Sequence, residues 1–264
     1  DINRKLVQYI YRDGQNWESP AYNEMGISYL IDTAEVLERY VQNDGVVEQG
    51  SIFENPKYIA LVNAFADLTL IRRGVASIGD SGSLYGYGVE PDTESLIIAF
   101  KMTSENPDAL KSNIKMAQQL WLYGGENLKN EHYDIWTKDP ENIYGEVKAL
   151  IDEYGEYDWD KSSILTGYGL GFLRDGELHD TVGITGVHDT TRDVVLNFSG
   201  HNLHNHADML DIQMNSYGIP LTFDFGYAEF MVTGDPHSSQ LTAATIGHNT
   251  VVVDERSQTG CKNE

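Results

Sequence analysis

Histidine and carboxylate placement carries the chemistry of this sequence. Seven of its eight histidines, all but His132, lie beyond residue 162, and three fall within His201-Asn202-Leu203-His204-Asn205-His206-Ala207-Asp208. In an extended chain side chains alternate, which predicts His204, His206 and Asp208 on one face and Asn205 and Ala207 on the other. Two imidazoles and a carboxylate on one face suit a zinc ion or a general acid–base site. The plain alternative is a polar loop whose histidines only hydrogen-bond. Two later segments add donors: Phe223-Asp224-Phe225-Gly226-Tyr227 ends a strand on a carboxylate, and Gly247-His248-Asn249-Thr250-Val251-Val252-Val253-Asp254 opens an apolar strand with a histidine. Two neutral imidazoles and one carboxylate leave a tetrahedral zinc one open position. A two-residue turn at Tyr217-Gly218 would pair Asp224 with Asp211 and leave His206 several residues beyond. For the three groups to meet, the His-rich segment must bend back or a bulge must shift the register.

The elements that position these groups change type along the chain. Residues 1–155 read as helices. Ser19-Pro20 is an N-cap followed by Pro at the first helical position, and Leu30, Ala34, Leu37 and Val41 then form one apolar stripe. Asn55-Pro56 opens a second helix with Tyr58, Leu61, Val62, Phe65 and Leu68 on its buried side. Further helices are expected over 92–102, 107–120 and 140–154, each with Pro or Asp near its start. The loop Ser81-Gly82-Ser83-Leu84-Tyr85-Gly86-Tyr87-Gly88 lacks the spacing and the Lys of a phosphate loop. Beyond residue 162, strands are expected over 163–166, 170–173, 194–198, 209–215, 221–223 and 249–253, bounded by Gly, Asn and Asp. No helical pattern separates them, so the sheet is antiparallel. The expected class is α+β, with a helical domain over 1–158 and an antiparallel β domain over 159–264.

Composition narrows the function. The chain has 264 residues, 18 Lys+Arg against 41 Asp+Glu and a net charge of −23, with 41% hydrophobic residues and 7 Pro. That excludes intrinsic disorder and argues against a nucleic-acid-binding surface, which needs basic stripes. No apolar run approaches the ~20 residues of a membrane helix. The single Cys261 excludes an internal disulfide and a multi-Cys metal site.

The segments 204–208, 224–227 and 248–254, with the earlier Asp13-Gly14 and Glu18-Ser19-Pro20-Ala21-Tyr22, resemble the heparinase II/III-like polysaccharide lyases. The resemblance implies part of an (α/α) toroid of helical hairpins followed by an antiparallel β-sandwich-type domain. It implies His206, Asp224 and His248 as ligands of one, mainly structural, zinc ion. It further implies His204 as an active-site histidine, Tyr22 as the catalytic tyrosine, Tyr227 as a substrate contact, and a periplasmic or secreted location. Only 21 residues precede Tyr22, too few for the Asn or His motif that the family carries ahead of it. The chain is therefore expected to be a piece of a longer protein.

The implied reaction is β-elimination on a uronic-acid-containing acidic polysaccharide. It requires neutralising the carboxylate, removing the C5 proton and protonating the leaving oxygen. A tyrosine acting as base near pH 8 needs its pKa lowered by about two units, ~2.7 kcal/mol, by a nearby cation or donor. Arg72 and Arg73 are candidates to meet substrate carboxylates or sulfates, or else form a solvated helix end. Screening confines the chain's repulsion of a polyanion to about 8 Å at physiological salt, so at close range the cleft itself must be locally basic. Two rival functions remain open. His204-x-His206-x-Asp208 matches the start of the metallo-β-lactamase-like hydrolase signature, although Met209 stands where its next His belongs. A non-catalytic carbohydrate-binding or scaffold protein with a structural zinc is the other.

Overall fold

The computed structural model describes residues 2–42, 51–68, 70, 75–82, 92–104, 106, 109–132, 142–158, 160–176, 190–200, 204–217, 219–227 and 236–259. Arg72, Arg73, Gly218, Cys261, residues 83–88 of the Gly/Tyr loop, and the expected helix starts at Pro107 and Pro140 lie outside them. The chain divides into two compact units. The first comprises Asp1–Asn16, Glu24–Ala66 and Pro91–Tyr157; the second comprises Trp17–Asn23, Asp67–Glu90 and Asp158–Glu264. The β-rich half thus shares a unit with two segments from the helical half.

The first unit holds α1 (Ile2–Tyr9), most of α2 (Pro20–Gln42), α3 (Pro56–Asn63), α4 (Thr93–Ser104), α5 (Leu110–Gly124) and α6 (Tyr144–Tyr154). On α2 the buried stripe is Ile27, Ile31 and Ala34, while Val41 is exposed. The stripe read from Leu30, Ala34, Leu37 and Val41 is therefore turned by about one residue around the helix. Asn55 caps α3 as expected, its side chain accepting from Lys57 N at 2.9 Å with Pro56 in the first turn. Tyr58, Leu61, Val62, Phe65 and Leu68 are buried, but α3 stops at Asn63 and a 3-10 turn, Phe65–Leu68, follows it. The α3 end is satisfied by Gln119 of α5, which donates to Val62 O and accepts from Ala66 N, both at 2.9 Å. Asp92 accepts from Ser95 N at 2.8 Å and caps α4.

The second unit is organised by one antiparallel sheet in the order β1-β2-β3-β4-β5: Ser163–Leu165, Leu170–Asp175, Arg192–Asn197, Ile212–Ser216 and Ile219–Pro220. Leu165, Leu170, Phe172 and Val195 face its core. One register row, Arg174↔Asp193↔Asn215, is also buried, although it is polar. It survives because most of its polar atoms are paired. Arg174 donates to Asp67 O at 2.9 Å and lies over the Phe172 ring, and Asn215 hydrogen-bonds Asp193.

Three strand expectations change, and each change moves the site. The strand expected over 209–215 begins at Ile212, because Leu210 takes φ 62° and Asp211 N turns back to Asp208 O. Past the Tyr217 turn, Leu221 N and Thr222 N both point to Met214 O, at 2.8 and 3.4 Å. Two residues opposite one make a bulge, one of the two adjustments expected if the three groups are to meet. The run 249–253 forms no strand. Val251 and Val253 are exposed, and the isolated Val253↔Arg256 bridge closes on Asp254 and Glu255 in left-handed conformation. Asn249 instead ties the strand ends together. Its N–H donates to Asp211 Oδ1 at 2.6 Å, its carbonyl accepts from Ile212 N, and its side-chain amide donates to Phe223 O at 2.9 Å. That crossing delivers His248 beside Asp224.

Candidate active site

Tyr22 sits in the first turn of α2, within the stretch Trp17–Asn23 that belongs to the second unit. Ser19 does not cap this helix: its hydroxyl is buried without a partner. The cap comes from a distant residue, Ser81, whose Oγ accepts from Ala21 N at 2.8 Å. The Tyr22 ring then stacks on His204, with centroids 3.7 Å apart and planes 5° from parallel. His204 has φ 55°, so its segment is not extended. The alternation that put His204, His206 and Asp208 on one face therefore fails, and the three side chains go to different partners.

His204 Nδ1 meets Glu18 Oε2 at 2.8 Å. A carboxylate oxygen accepts, so Nδ1 is the donor in this contact and Nε2 points away from Glu18. Glu18 is itself fixed by Tyr168, whose hydroxyl donates to the Glu18 carbonyl at 2.7 Å. His204 is 41% exposed and Glu18 18%, which leaves the imidazole accessible to a ligand. Burial pushes the Tyr22 pKa up, and nearby Tyr227, by charge and by a hydrogen bond, Asp80 and Glu18 push it further the same way. Every one of these influences raises it, opposite to the lowered pKa a tyrosine base requires, so the phenol stays protonated at neutral pH and is set up to donate.

His206 and His248 lie deeper than His204. His206 Nε2 meets Asp80 Oδ1 at 2.9 Å, and His248 Nδ1 meets Asp224 Oδ2 at 2.7 Å. The His206 and His248 rings are 5.4 Å apart. Each has one nitrogen on a carboxylate, and the other nitrogen, His206 Nδ1 or His248 Nε2, is buried without a partner. Burial depresses the His248 pKa, but the Asp224 hydrogen bond and the charges of Asp224, Asp208 and Asp211 outweigh it and raise it overall. Burial raises Asp208 and Asp211 as well, against their hydrogen bonds from Gly79 N and Gln213. Among the described residues no three His, Cys, Asp or Glu side chains are arranged to hold a metal ion as they stand. Two orphaned imidazole nitrogens on neighbouring buried rings, beside a carboxylate, are nevertheless a donor set that suits zinc.

Residues 195–263 match the heparinase II/III-like C-terminal family. The fold of the whole chain is similar to that of a heparan sulfate lyase, HepC, from Pedobacter heparinus, at TM-score 0.60 and 16% identity over 99% of this chain and 33% of that one. A mutant of the same lyase matches equally, and a heparinase III gives TM-score 0.55 at 15% identity over 97% and 32%. No curated protein matches the sequence. The chain spans about a third of the length of the solved lyases it resembles. Its helices followed by a five-stranded antiparallel sheet are the corresponding fragment of the heparinase toroid-plus-sheet architecture.

Within this fold, Tyr22 meets His204 and Tyr227, while Asp224 meets His248 with His206 adjoining. Glu18, Asp80 and Ser81 were not foreseen as site residues. Glu18 stands in the same short motif as Tyr22, which was its one available signal; Asp80 and Ser81 had none. The hydrolase pattern His204-x-His206-x-Asp208 needs its three side chains on a common ion, whereas here they meet Glu18, Asp80 and Gly79 N respectively. No helix of the described residues is long and apolar enough to cross a membrane.

Proposed function

We propose that this chain is the catalytic fragment of a polysaccharide lyase acting by β-elimination on a uronic-acid-containing acidic polysaccharide, in the periplasm or outside the cell. The observation that carries the reading is the Tyr22–His204 stack backed by Glu18, a proton donor and a proton acceptor on one accessible surface. His204 Nε2 takes the C5 proton. The electron pair of that C–H bond becomes the C4=C5 double bond, the C4–O bond breaks, and the leaving oxygen takes the Tyr22 phenolic proton. Glu18 offsets the imidazolium charge as it forms and holds the ring's orientation. Tyr227, hydrogen-bonded to Tyr22, and Arg72 are the proposed substrate contacts, Arg72 supplying the charge that neutralises the uronate.

His206, Asp224 and His248 are the residues that would hold the proposed zinc ion. Zinc, when bound, would supply local order by joining three segments distant in sequence, on the scale of several kcal/mol. The orphaned nitrogens support that reading. The test is absorbance near 232 nm from unsaturated uronic products, using the full-length protein on heparan sulfate, hyaluronan and alginate. A rise on at least one polymer is expected. Binding without any rise would make the protein a carbohydrate-binding scaffold instead.

A further inference from the structure

Residues 79–82, Gly-Asp-Ser-Gly, contact the segments that carry Tyr22, His204, His206 and Tyr227. Asp80 N donates to His204 O at 2.8 Å, and the Asp80 carboxylate meets His206 Nε2 at 2.9 Å. Gly79 N donates to Asp208 Oδ2 at 2.9 Å. Ser81 Oγ caps the Tyr22 turn through Ala21 N, and Gly82 O accepts from Tyr227 N at 3.1 Å. The segment is tightly folded on itself, with Ser81 N on Gly79 O at 2.8 Å. It is anchored from below by Gln213 of β4, which accepts from Ser77 N and donates to Ser77 O.

The glycines show how closely this backbone is gripped. Gly79 has φ +55°, and a Cβ there would lie 2.3 Å from His204 O. A Cβ on Gly226, at φ +50°, would lie 2.5 Å from Ser81 O. Side chains at these two positions would push the segment off the His204 backbone and off the turn carrying Tyr227. Ser81 is fully buried, so its hydroxyl is no solvent-facing accident.

We propose that residues 79–82 form a positioning strap, with Ser81 and Asp80 as positioning residues, that fixes the Tyr22 and His204 rings against each other. Neither residue needs to touch substrate. Ser81 sets the pitch of the first turn of α2 and so the height of Tyr22. The Asp80 N–H holds the His204 backbone in its left-handed conformation, and the Asp80 carboxylate orients the His206 ring. The inference deepens the proposed reaction, but its geometric content stands apart from it.

The test has two arms. In the first, the carbon-bound ring protons of His204 are followed by NMR in the full-length protein. A ring 3.7 Å above them shifts these protons upfield, and Tyr22→Leu defines the unstacked value. Ser81→Ala, which removes only the cap acceptor, is expected to move them at least halfway to that value. Asp80→Asn, which keeps the backbone N–H, is expected to leave them unmoved while altering the His206 ring nitrogen shifts. In the wild-type protein, the Ala21, Asp80 and Tyr227 amides are expected to exchange with solvent slowly and at a common rate, a measurement that needs no variant to fold. Wild-type His204 shifts in Ser81→Ala, or fast and unrelated exchange of the three amides, overturns the strap. The second arm is kinetic: Ser81→Ala is expected to lower kcat about 10- to 100-fold with KM within twofold, as misplacement of reacting groups does. A raised KM at unchanged kcat overturns the positioning role. If the wild-type protein cleaves no polysaccharide, the reaction falls and the NMR and exchange arm still decides the strap.

Discussion

Asp224→Ala should show how much the His248 pairing contributes to the fold. The Asp224 carboxylate accepts from Gly226 N at 2.8 Å and meets His248 Nδ1 at 2.7 Å, and the two side chains are 3% and 0% exposed. Truncation leaves two buried donors unpaired. Each costs about 1–3 kcal/mol, so the loss centres on ~4 kcal/mol. At about 2–4 °C per kcal/mol for a chain of this size, the melting temperature should fall by ~8–16 °C. The assay is thermal and urea unfolding at pH 7 in excess EDTA, so that no metal contributes. Asp224→Asn, which can still accept from Gly226 N, should lose about half as much. An Asp224→Ala protein within ~0.5 kcal/mol of wild type, the range of an ordinary surface substitution, would refute the reasoning.

Other outcomes follow from the same geometry. The metal-free protein should lose stability as pH rises from 6.5, because the folded His248 pKa is raised: its contribution is complete below the unfolded value of ~6.5 and disappears as pH passes through the folded one. Denaturant midpoints across pH 5–9 in EDTA measure this, and a flat or rising profile contradicts it. Zinc at about 100-fold over its Kd should add ~2.7 kcal/mol, or ~5–10 °C, read by scanning calorimetry, and His248→Ala should abolish that gain. Since zinc needs unprotonated imidazoles, the gain at a fixed zinc concentration should grow with pH, opposite to the metal-free trend. Glu18→Gln, which removes the charge partner of His204, should cut kcat about tenfold or more at nearly constant KM, measured on whichever polymer is cleaved.

The readable parts of the molecule were those fixed by local chemistry. Asn55-Pro56 caps its helix because both signals act within three residues of the chain. The antiparallel sheet and its Tyr217 turn follow from strand-length runs separated by turn residues. Ser19 looked like an equally good cap, yet a hydroxyl 60 positions away took the role. The His-rich segment was misread for a related reason. Alternation assumes extended backbone, and His204 and Leu210 are both left-handed, held there by contacts to Asp80 N and Asn197 O. Val251 to Val253 has strand composition, but Asn249 had already bridged the strand ends at Asp211 and Phe223. Glu18 and Asp80 meet their histidines across 186 and 126 positions, separations that no spacing rule reaches.

The central claim is that the Tyr22 phenol and the His204 imidazole carry out β-elimination together. Its most direct test compares 232 nm progress curves of the full-length wild type and Tyr22→Phe on the same polymer, with the His204 ring shifts checked first to show that the aromatic stack is intact. The account predicts a linear rise for the wild type and a loss of at least about 100-fold for Tyr22→Phe. Equal rates from the two proteins, with the stack preserved, would contradict it.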